Sequence, residues 1–238
     1  MSKIQARIEG VYERVLKAAV KSGRTFEAIN VIAISKTESA ETIREAYQFG
    51  LKYFGENYAV DLFRKVDELK DLVDINWNFI GPLSSNECGN IVRTAHTIHA
   101  IGDKEIAEHL SISGDGSKEE TNVFIQINLT GDEAMGGIEC ANWESNDVQR
   151  SYLMKTAQDV EKLPNIKLAG LMTAVPPTYS SAESRAIFQR TRAILDSVNL
   201  CLKDGPLKRL SMGMSSDFEI AIEEGASDVR IGSAIFKH

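Results

Sequence analysis

Short apolar runs alternate with longer amphipathic segments along most of the chain. Eight of these runs have the length and composition of buried β-strands, at residues 30–35, 52–54, 76–81, 97–100, 122–128, 167–172, 208–211 and 228–231. Between them, apolar residues recur at helical spacing, which predicts helices near 40–49, 58–71, 84–94, 104–111, 147–161, 181–201 and 217–224. A further amphipathic helix is predicted at 3–22, and Gly23 is placed to end it. The pattern is therefore one helix followed by repeated strand–helix units.

Regular alternation of strands and helices predicts a parallel sheet with helical crossovers. Eight such units in 238 residues fit an α/β fold, a single (β/α)₈ TIM-type barrel with an additional N-terminal helix. An open doubly wound sheet is the alternative, because alternation alone does not show closure. Against it, the first strand-to-helix turn, SKTESAE, lacks the glycine-rich fingerprint of dinucleotide-binding sheets. With no internal repeat and no linker, we expect one domain over residues 1–238.

Two polar stretches interrupt the alternation. Residues 111–121, SISGDGSKEET, predict a surface loop without a chemical role. Residues 130–147 follow the fifth strand on the side where a barrel carries its site. We interpret this second stretch as a solvated loop, with a lid over the site as the alternative.

The composition argues against several classes of function. The net charge is −7, from 27 basic and 34 acidic side chains, so no general basic surface would attract a nucleic acid. A small anionic ligand is compatible with this charge, since one site can be positive while the whole is negative. The three cysteines and four histidines show no metal-binding spacing, so we expect reduced thiols, no metal and a cytoplasmic protein. No apolar run approaches the length that would span a membrane.

Lys36 is the first residue that points to chemistry. It directly follows a buried strand in VIAISKT, and in a barrel the carboxyl ends of the strands form the active face. Most lysines are solvated cations, which is the plain alternative. An amine that is desolvated at a barrel mouth is instead a nucleophile toward carbonyl groups.

The turns after the seventh and eighth predicted strands, SMGMSSDFE and RIGSA, have the composition of a phosphate cradle. Ser216 and Glu219 have the spacing of a capping box, which predicts that a helix starts there. Backbone N–H groups near Gly213, together with Gly232 and Ser233, would then face an anion. Tight turns that only stabilise a helix are the alternative. A lysine, an arginine and a phosphate site at one barrel mouth indicate pyridoxal 5'-phosphate (PLP).

Seven segments make a family resemblance specific: AISKT, FGENY, NFIGPLSSN, IQINLTGDE, GLMT, LSMGMSSDFEIAI and VRIGSAIF. In order and spacing they resemble the PLP homeostasis protein family, whose members are similar to the N-terminal barrel of alanine racemase. The likeness covers essentially the whole chain. It implies that Lys36 is the Schiff-base lysine, that Asn57 lies beside the ring and that Arg230 faces the pyridine nitrogen. It also implies that the phosphate is held by Ser211, Met212, Ser215, Gly232 and Ser233.

The chain also departs from the pattern of that family. Asn78, Ser84 and Glu87 replace a histidine, a glutamine and a lysine, and Met135 occupies a commonly basic position. The family's IHS-x-D pattern reads Ile-His-Ala-Ile-Gly at 98–102. These departures argue against basic groups at the rim and against a second, surface PLP site. Asn78 is also a candidate for a changed contact with the ring.

The resemblance implies a protein of intracellular PLP homeostasis that holds the cofactor without robust turnover, and so not an enzyme. A PLP-dependent racemase or decarboxylase is the alternative, and a Schiff-base aldolase without PLP is a weaker third hypothesis. Racemisation needs acid/base groups on both faces of the substrate. Two-domain racemases supply one of them, a tyrosine, from a C-terminal domain that we do not find here. We expect a monomer whose partners are PLP and apo PLP-dependent enzymes, with no nucleic acid and no membrane.

Overall fold

The structure, a computed structural model that describes residues 2–114 and 120–236, is built on a closed barrel of eight parallel strands. The barrel strands are β1 (Asn30–Ile34), β2 (Tyr53–Glu56), β3 (Asn76–Phe79), β4 (Thr97–Ile101), β5 (Thr121–Asn128), β7 (Ile166–Met172), β8 (Arg209–Ser211) and β9 (Asp228–Ile231). They pair in this order, and β9 closes the barrel against β1. A short strand, β6 (Ile138–Glu139), pairs with the carboxyl end of β5 outside the barrel.

Helices cover the outside of the barrel. They are α1 (Lys3–Lys21), α2 (Ala40–Gln48), α3 (Ala59–Glu68), α4 (Cys88–Thr94), α5 (Lys104–Ser113), α6 (Asp147–Val160), α7 (Ser181–Asn199), α8 (Phe218–Glu223) and α9 (Ser233–Phe236). Several begin at side chains that accept a hydrogen bond from the first turn, as short polar residues do at such positions: Ser2, Ser39, Asp103, Asn146 and Ser180. Local signals in the sequence therefore mark where these helices begin. The apolar residues along one face of each helix are then buried against the rest of the fold.

The predicted barrel is confirmed, and each of the eight predicted strands coincides with a barrel strand. The prediction for the start of α8 is wrong: the helix begins at Phe218, and no capping box forms between Ser216 and Glu219. Asp217 instead accepts a hydrogen bond from the backbone N–H of Met214, at 2.6 Å. The extent of the single domain, 1–238, stays a prediction.

The two polar stretches differ from each other in the structure. The first, 111–121, begins inside α5, and its residues 115–119 lie outside the described residues. The second, 130–147, contains a 3₁₀ turn (Glu133–Met135) and the strand β6, which the sequence did not predict. None of the described helices combines the length and the apolar character needed to cross a bilayer.

Strand register decides which loops are neighbours at the carboxyl end of the barrel. β1 lies between β2 and β9, with Ile34 opposite Gly55 and Ala33 opposite Ile231. The turns that follow these three strands therefore lie side by side, although they are far apart in sequence. This edge is the face on which barrels carry their sites.

Candidate functional site

Three of the predicted site residues follow three adjacent strands. Lys36 lies in the turn after β1, Asn57 follows β2, and Gly232 follows β9. Lys36 is exposed, which differs from the desolvated amine expected from the sequence. Asn57 is half-buried, and its side-chain oxygen Oδ1 is buried without a hydrogen-bond partner among the described residues. The turn after β1 thus carries an accessible amine, and the turn after the neighbouring strand β2 carries an unsatisfied acceptor.

The loop that carries Asn57 is packed against the turn after β3. A Cβ atom added to Gly81 would lie 1.9 Å from the carbonyl oxygen of Asn57, closer than any side chain can come. Glycine at this position therefore lets two backbones touch. The close approach sets where the Asn57 loop lies at the mouth.

The turns after β8 and β9 lie together, as the phosphate hypothesis requires. The hydroxyl oxygen of Ser215 accepts a hydrogen bond from the backbone N–H of Ala234, at 3.2 Å, which joins the two turns. In the part of the chain that the structure describes, five backbone N–H groups of these turns donate to no acceptor: those of Gly213, Ser215, Ser216, Gly232 and Ser233. The hydroxyl-bearing side chain of Ser233 is exposed. Unpaired N–H groups in neighbouring turns form the kind of concavity that binds anions.

Arg230 on β9 is buried, and its guanidinium group lies inside the barrel. Its Nη1 donates to the hydroxyl of Ser211 at 2.8 Å, and its Nη2 donates to the backbone carbonyl of Thr173 at 2.9 Å. Burial lowers the pKa of Arg230 to about 10, so the group is still protonated at neutral pH. A guanidinium has five N–H groups, so donors remain beyond these two bonds.

A directed chain of hydrogen bonds extends from Arg230 across the barrel interior. The amide nitrogen of Asn78 donates to the carbonyl of Asn76 at 2.9 Å, so the Oδ1 of Asn78 is left as an acceptor. That oxygen lies 2.9 Å from Nε2 of His99, which must therefore carry the proton. Nδ1 of His99 then accepts from the Ser211 hydroxyl at 2.9 Å, and Ser211 accepts from Arg230.

His99 is the neutral centre of this chain. The imidazole is fully buried and stacks on Phe124, with ring centroids 4.6 Å apart and an interplanar angle of 6°. Burial lowers the pKa of His99 to about 3, and nearby Arg230 and Arg209 act in the same direction, while Asp228 opposes them. The ring therefore serves as a fixed donor and acceptor at neutral pH.

Ser211 and Met212 are buried beneath the turn after β8 and do not face outward from it. The Ser211 hydroxyl is engaged by Arg230 and His99. Met212 is fully buried in the core, and its backbone N–H donates to the carbonyl of Asp228 at 3.1 Å. A role for either residue in phosphate binding stays a prediction, and the structure shows Ser211 supporting Arg230.

The sequence reasoning missed a buried ion pair beside the site, between Glu56 on β2 and Lys65 on α3. A signal was present: the buried stripe of α3 includes Ala59, Leu62 and Lys65, so a lysine occupies an apolar position in the helical spacing.

Among the described residues, no group of His, Cys, Asp and Glu side chains is placed to hold a metal ion.

The chain is similar along its length to proteins that share one name. No protein-family model matches the chain. The pyridoxal phosphate homeostasis protein of Pseudomonas aeruginosa is 39% identical over 236 residues, which cover 99% of this chain and 96% of that protein. Proteins of the same name from Aquifex aeolicus (36% over 230 residues; 97% of this chain, 96% of that protein) and Escherichia coli K12 (34% over 239 residues; 99% and 97%) match along their length as well.

Solved structures give the same picture of the fold. PipY of Synechococcus elongatus with PLP bound superposes with a TM-score of 0.84 at 28% identity, covering 98% of this chain and all of PipY. Alanine racemase of Clostridium difficile, in complex with cycloserine, superposes with a TM-score of 0.65 at 14% identity. The match covers 95% of this chain and 59% of the racemase, and it shows a shared barrel fold.

Proposed function

The chain belongs to the pyridoxal phosphate homeostasis protein family, and from that premise we propose that it binds PLP at the barrel mouth and serves intracellular PLP homeostasis. Full-length relatives at 34–39% identity carry that name, and the PipY structure holds PLP. The observation that carries the proposal is structural. Two joined turns with unpaired N–H groups follow β8 and β9, and β9 pairs with the strand that presents Lys36.

The residues of the mouth fit each part of this ligand. PLP has a phosphate, an aldehyde and a pyridine nitrogen. The N–H groups of Ser215, Ser216, Gly232 and Ser233 suit the phosphate, and the Ser233 hydroxyl adds a further donor. In our proposal the remaining donors of Arg230 meet the pyridine nitrogen, and Asn57 lies beside the ring.

Bound PLP supplies an aldehyde that condenses with a primary amine with loss of one water. Lys36 is the accessible amine that we assign to it. Arg230 keeps its proton at neutral pH because its pKa, though lowered by burial, is about 10. It would therefore donate a hydrogen bond to the pyridine nitrogen and transfer no proton, which would leave that nitrogen uncharged and the ring a weak electron sink.

We also propose that the protein holds PLP without robust turnover. Racemases remove the α-proton of an amino acid, and decarboxylases remove its carboxylate. Both steps leave negative charge at the α-carbon, which a weak electron sink stabilises poorly. Tyr58, a tyrosine next to the site, has an exposed side chain, 63% accessible, and so lacks the fixed position that acid/base catalysis requires. Delivery of PLP to apo-enzymes, a cytoplasmic location and a monomeric state stay predictions.

The first test asks whether Lys36 is the amine. Purified protein incubated with PLP should become yellow, and borohydride reduction should leave a PLP-mass adduct on the peptide that contains Lys36. Lys36→Ala should lose both signals. Lys70→Ala, a change at an exposed lysine on the barrel's outer side, is the matched control and should keep both. A colourless protein that takes up no added PLP, or an adduct at another lysine, would contradict the proposal.

The second part of this test separates a carrier from an enzyme. The PLP-loaded protein is incubated with a panel of amino acids in deuterated water, and the α-hydrogen of each is followed by NMR. We expect exchange no faster than with free PLP. Rapid exchange of any one amino acid would replace the carrier with a racemase or a related enzyme.

A further inference from the structure

A fully buried ion pair lies directly behind the turn that carries Lys36. Nζ of Lys65 is 2.8 Å from Oε1 of Glu56, and both side chains have zero accessible surface. The same Nζ donates to the backbone carbonyl of Ser35 at 2.6 Å. The hydroxyl of Ser35 donates to Oε1 of Glu56, also at 2.6 Å. Ser35, the residue that precedes Lys36, is thus held through its carbonyl and its side chain.

The pair also connects two neighbouring turns of the site. Glu56 is the last residue of β2, and the next residue is Asn57. The backbone N–H of Ser35 donates to the carbonyl of Gly55 at 3.0 Å, so the end of β1 is bonded to the end of β2. The backbone segments that present Lys36 and Asn57 are therefore fixed to each other by one set of contacts.

The energetics argue that stability alone does not explain this pair. Two charges withdrawn from water lose much of their hydration, and well-packed apolar residues often stabilise such a position at least as well. The rest of the buried stripe of α3, Ala59 and Leu62, is apolar. Oε2 of Glu56 has no partner among the described residues, and burial raises the pKa of Glu56 against the opposing effect of Lys65 and Ser35. An apolar pair, however, could not bond the carbonyl of Ser35.

We propose that Glu56 and Lys65 are positioning residues, which fix the Ser35–Lys36 backbone relative to Asn57 so that the Lys36 amine is presented to a carbonyl ligand in one orientation. The inference rests on the proposed function, in which Lys36 is the amine that meets PLP. Neither Glu56 nor Lys65 is accessible to a ligand, so they act through Ser35.

The test neutralises the pair as a unit. Lys65→Met alone leaves a buried carboxylate without its partner and is expected to destabilise the protein strongly. The double variant Glu56→Gln, Lys65→Met removes both charges, and we expect a urea midpoint near that of the unmodified protein. Its Lys36 should nevertheless form the borohydride-trapped PLP adduct at least about tenfold more slowly than Lys36 of the unmodified protein. Misplacement of a reacting group by about 1 Å is enough to lower a rate by this factor.

A second readout needs no PLP. In the protein without ligand, amide hydrogens of residues 35–37 and 57 should exchange faster in the double variant than in the unmodified chain. The matched control neutralises an exposed pair on the same helix, with Arg64→Gln and Glu68→Gln, and should change neither readout. A stable double variant with unchanged adduct formation and unchanged hydrogen exchange would overturn the inference.

The outcomes also separate this inference from the proposed function. If the unmodified protein forms no adduct, the proposed function fails. Hydrogen exchange alone then decides whether Glu56 and Lys65 fix the Ser35–Lys36 backbone. If the double variant does not fold, Ser35→Ala replaces it, because that change removes only the hydroxyl bond to Glu56. A slower adduct rate in Ser35→Ala then supports the positioning role, and an unchanged rate contradicts it.

Discussion

At the scale of single residues, the orientation of Arg230 is set by partners that lie deep in the barrel. Ser211 receives a hydrogen bond from Arg230 and passes one to His99, which in turn donates to Asn78. The sequence marked Asn78 as a departure from the family pattern and placed His99 within the fourth predicted strand, 97–100. It could not show that the two face each other, because they contact across different strands and no spacing records that contact.

His99 should make the protein less stable in acid. The unfolded chain binds a proton at a histidine below pH about 6.5, whereas the folded chain binds one at His99 only near pH 3. Protonation therefore favours the unfolded chain, and the free energy of unfolding falls as the pH is lowered through this window. His99→Gln removes the titrating group, so urea unfolding between pH 6.5 and 4 should show a shallower decrease.

The control for this prediction is Ile112→Ala, a change at an exposed, non-titrating side chain on α5, which should leave the slope as it is. Nitrogen-15 NMR of histidine-labelled protein adds a direct check of the tautomer. His99 should give the signals of a neutral ring protonated on Nε2 at pH 5. A charged His99 at that pH would contradict the hydrogen-bond chain.

At the scale of elements, the turn between β8 and α8 depends on one glycine. Gly213 has a φ angle of +93°, and an added Cβ would lie 2.5 Å from the Cβ of Ala221 and 3.0 Å from the Cα of Phe218. The backbone therefore passes close to α8 in a left-handed conformation that other residues adopt at a cost. The sequence predicted a glycine turn here, but it placed the helix start one residue early, because an S-x-x-E spacing does not show whether the serine faces the helix.

Gly213→Ala should destabilise the protein by about 2–4 kcal/mol, from backbone strain of about 1 kcal/mol together with the cost of overpacking against α8. Gly205→Ala is the matched control, since Gly205 has a φ of +105° but open space where a Cβ would go. That change should cost only about 1 kcal/mol. Urea unfolding measures both, and equal losses would show that the contact with α8 does not matter.

Strands were easier to predict than side-chain pairs at this scale. Parallel strands covered on both faces read as continuous apolar runs, and NVFIQIN and KLAGLM are examples. β6 has two residues, too few to form a pattern. The sequence analysis did not single out Lys65, because only the three-dimensional packing shows that it points toward Glu56.

At the scale of the whole molecule, α1 attaches the N-terminal part of the chain to α8, the helix that follows the turn after β8. Arg14 pairs with Glu219 at 2.6 Å, and its guanidinium lies 4.4 Å from the ring centroid of Phe218. Lys21 pairs with Glu223 at 2.7 Å near the other end of α8. The predicted N-terminal helix thus packs against α8, a contact that the sequence pattern did not specify.

Arg14→Gln should lower the free energy of unfolding by about 1 kcal/mol, because it removes a half-exposed ion pair and a cation–π contact together. Lys21→Gln should change it by less than about 0.5 kcal/mol, since that lysine is largely exposed and its pair is screened by solvent. Urea unfolding at low and at moderate salt measures both. A larger effect for Lys21 than for Arg14 would contradict this account of how α1 is attached.

Closure was the part of the architecture that alternation could not establish. Repeated strand–helix units fit an open sheet as well as a barrel, and the decision depends on whether β9 pairs with β1. That pairing joins residues such as Asn30 and Asp228, whose side chains are hydrogen-bonded at 2.9 Å across 198 positions of sequence. No local signal in either segment records such a contact.

The pairing of β1 with β9 has a consequence for the protein during its synthesis. Lys36 leaves the ribosome well before Arg230, Gly232 and Ser233, which lie far downstream in the sequence. Until β9 has emerged and paired with β1, a nascent chain therefore presents the amine without the turn that follows β9 beside it. Under the proposed function, uptake of PLP would then also report that the barrel has closed.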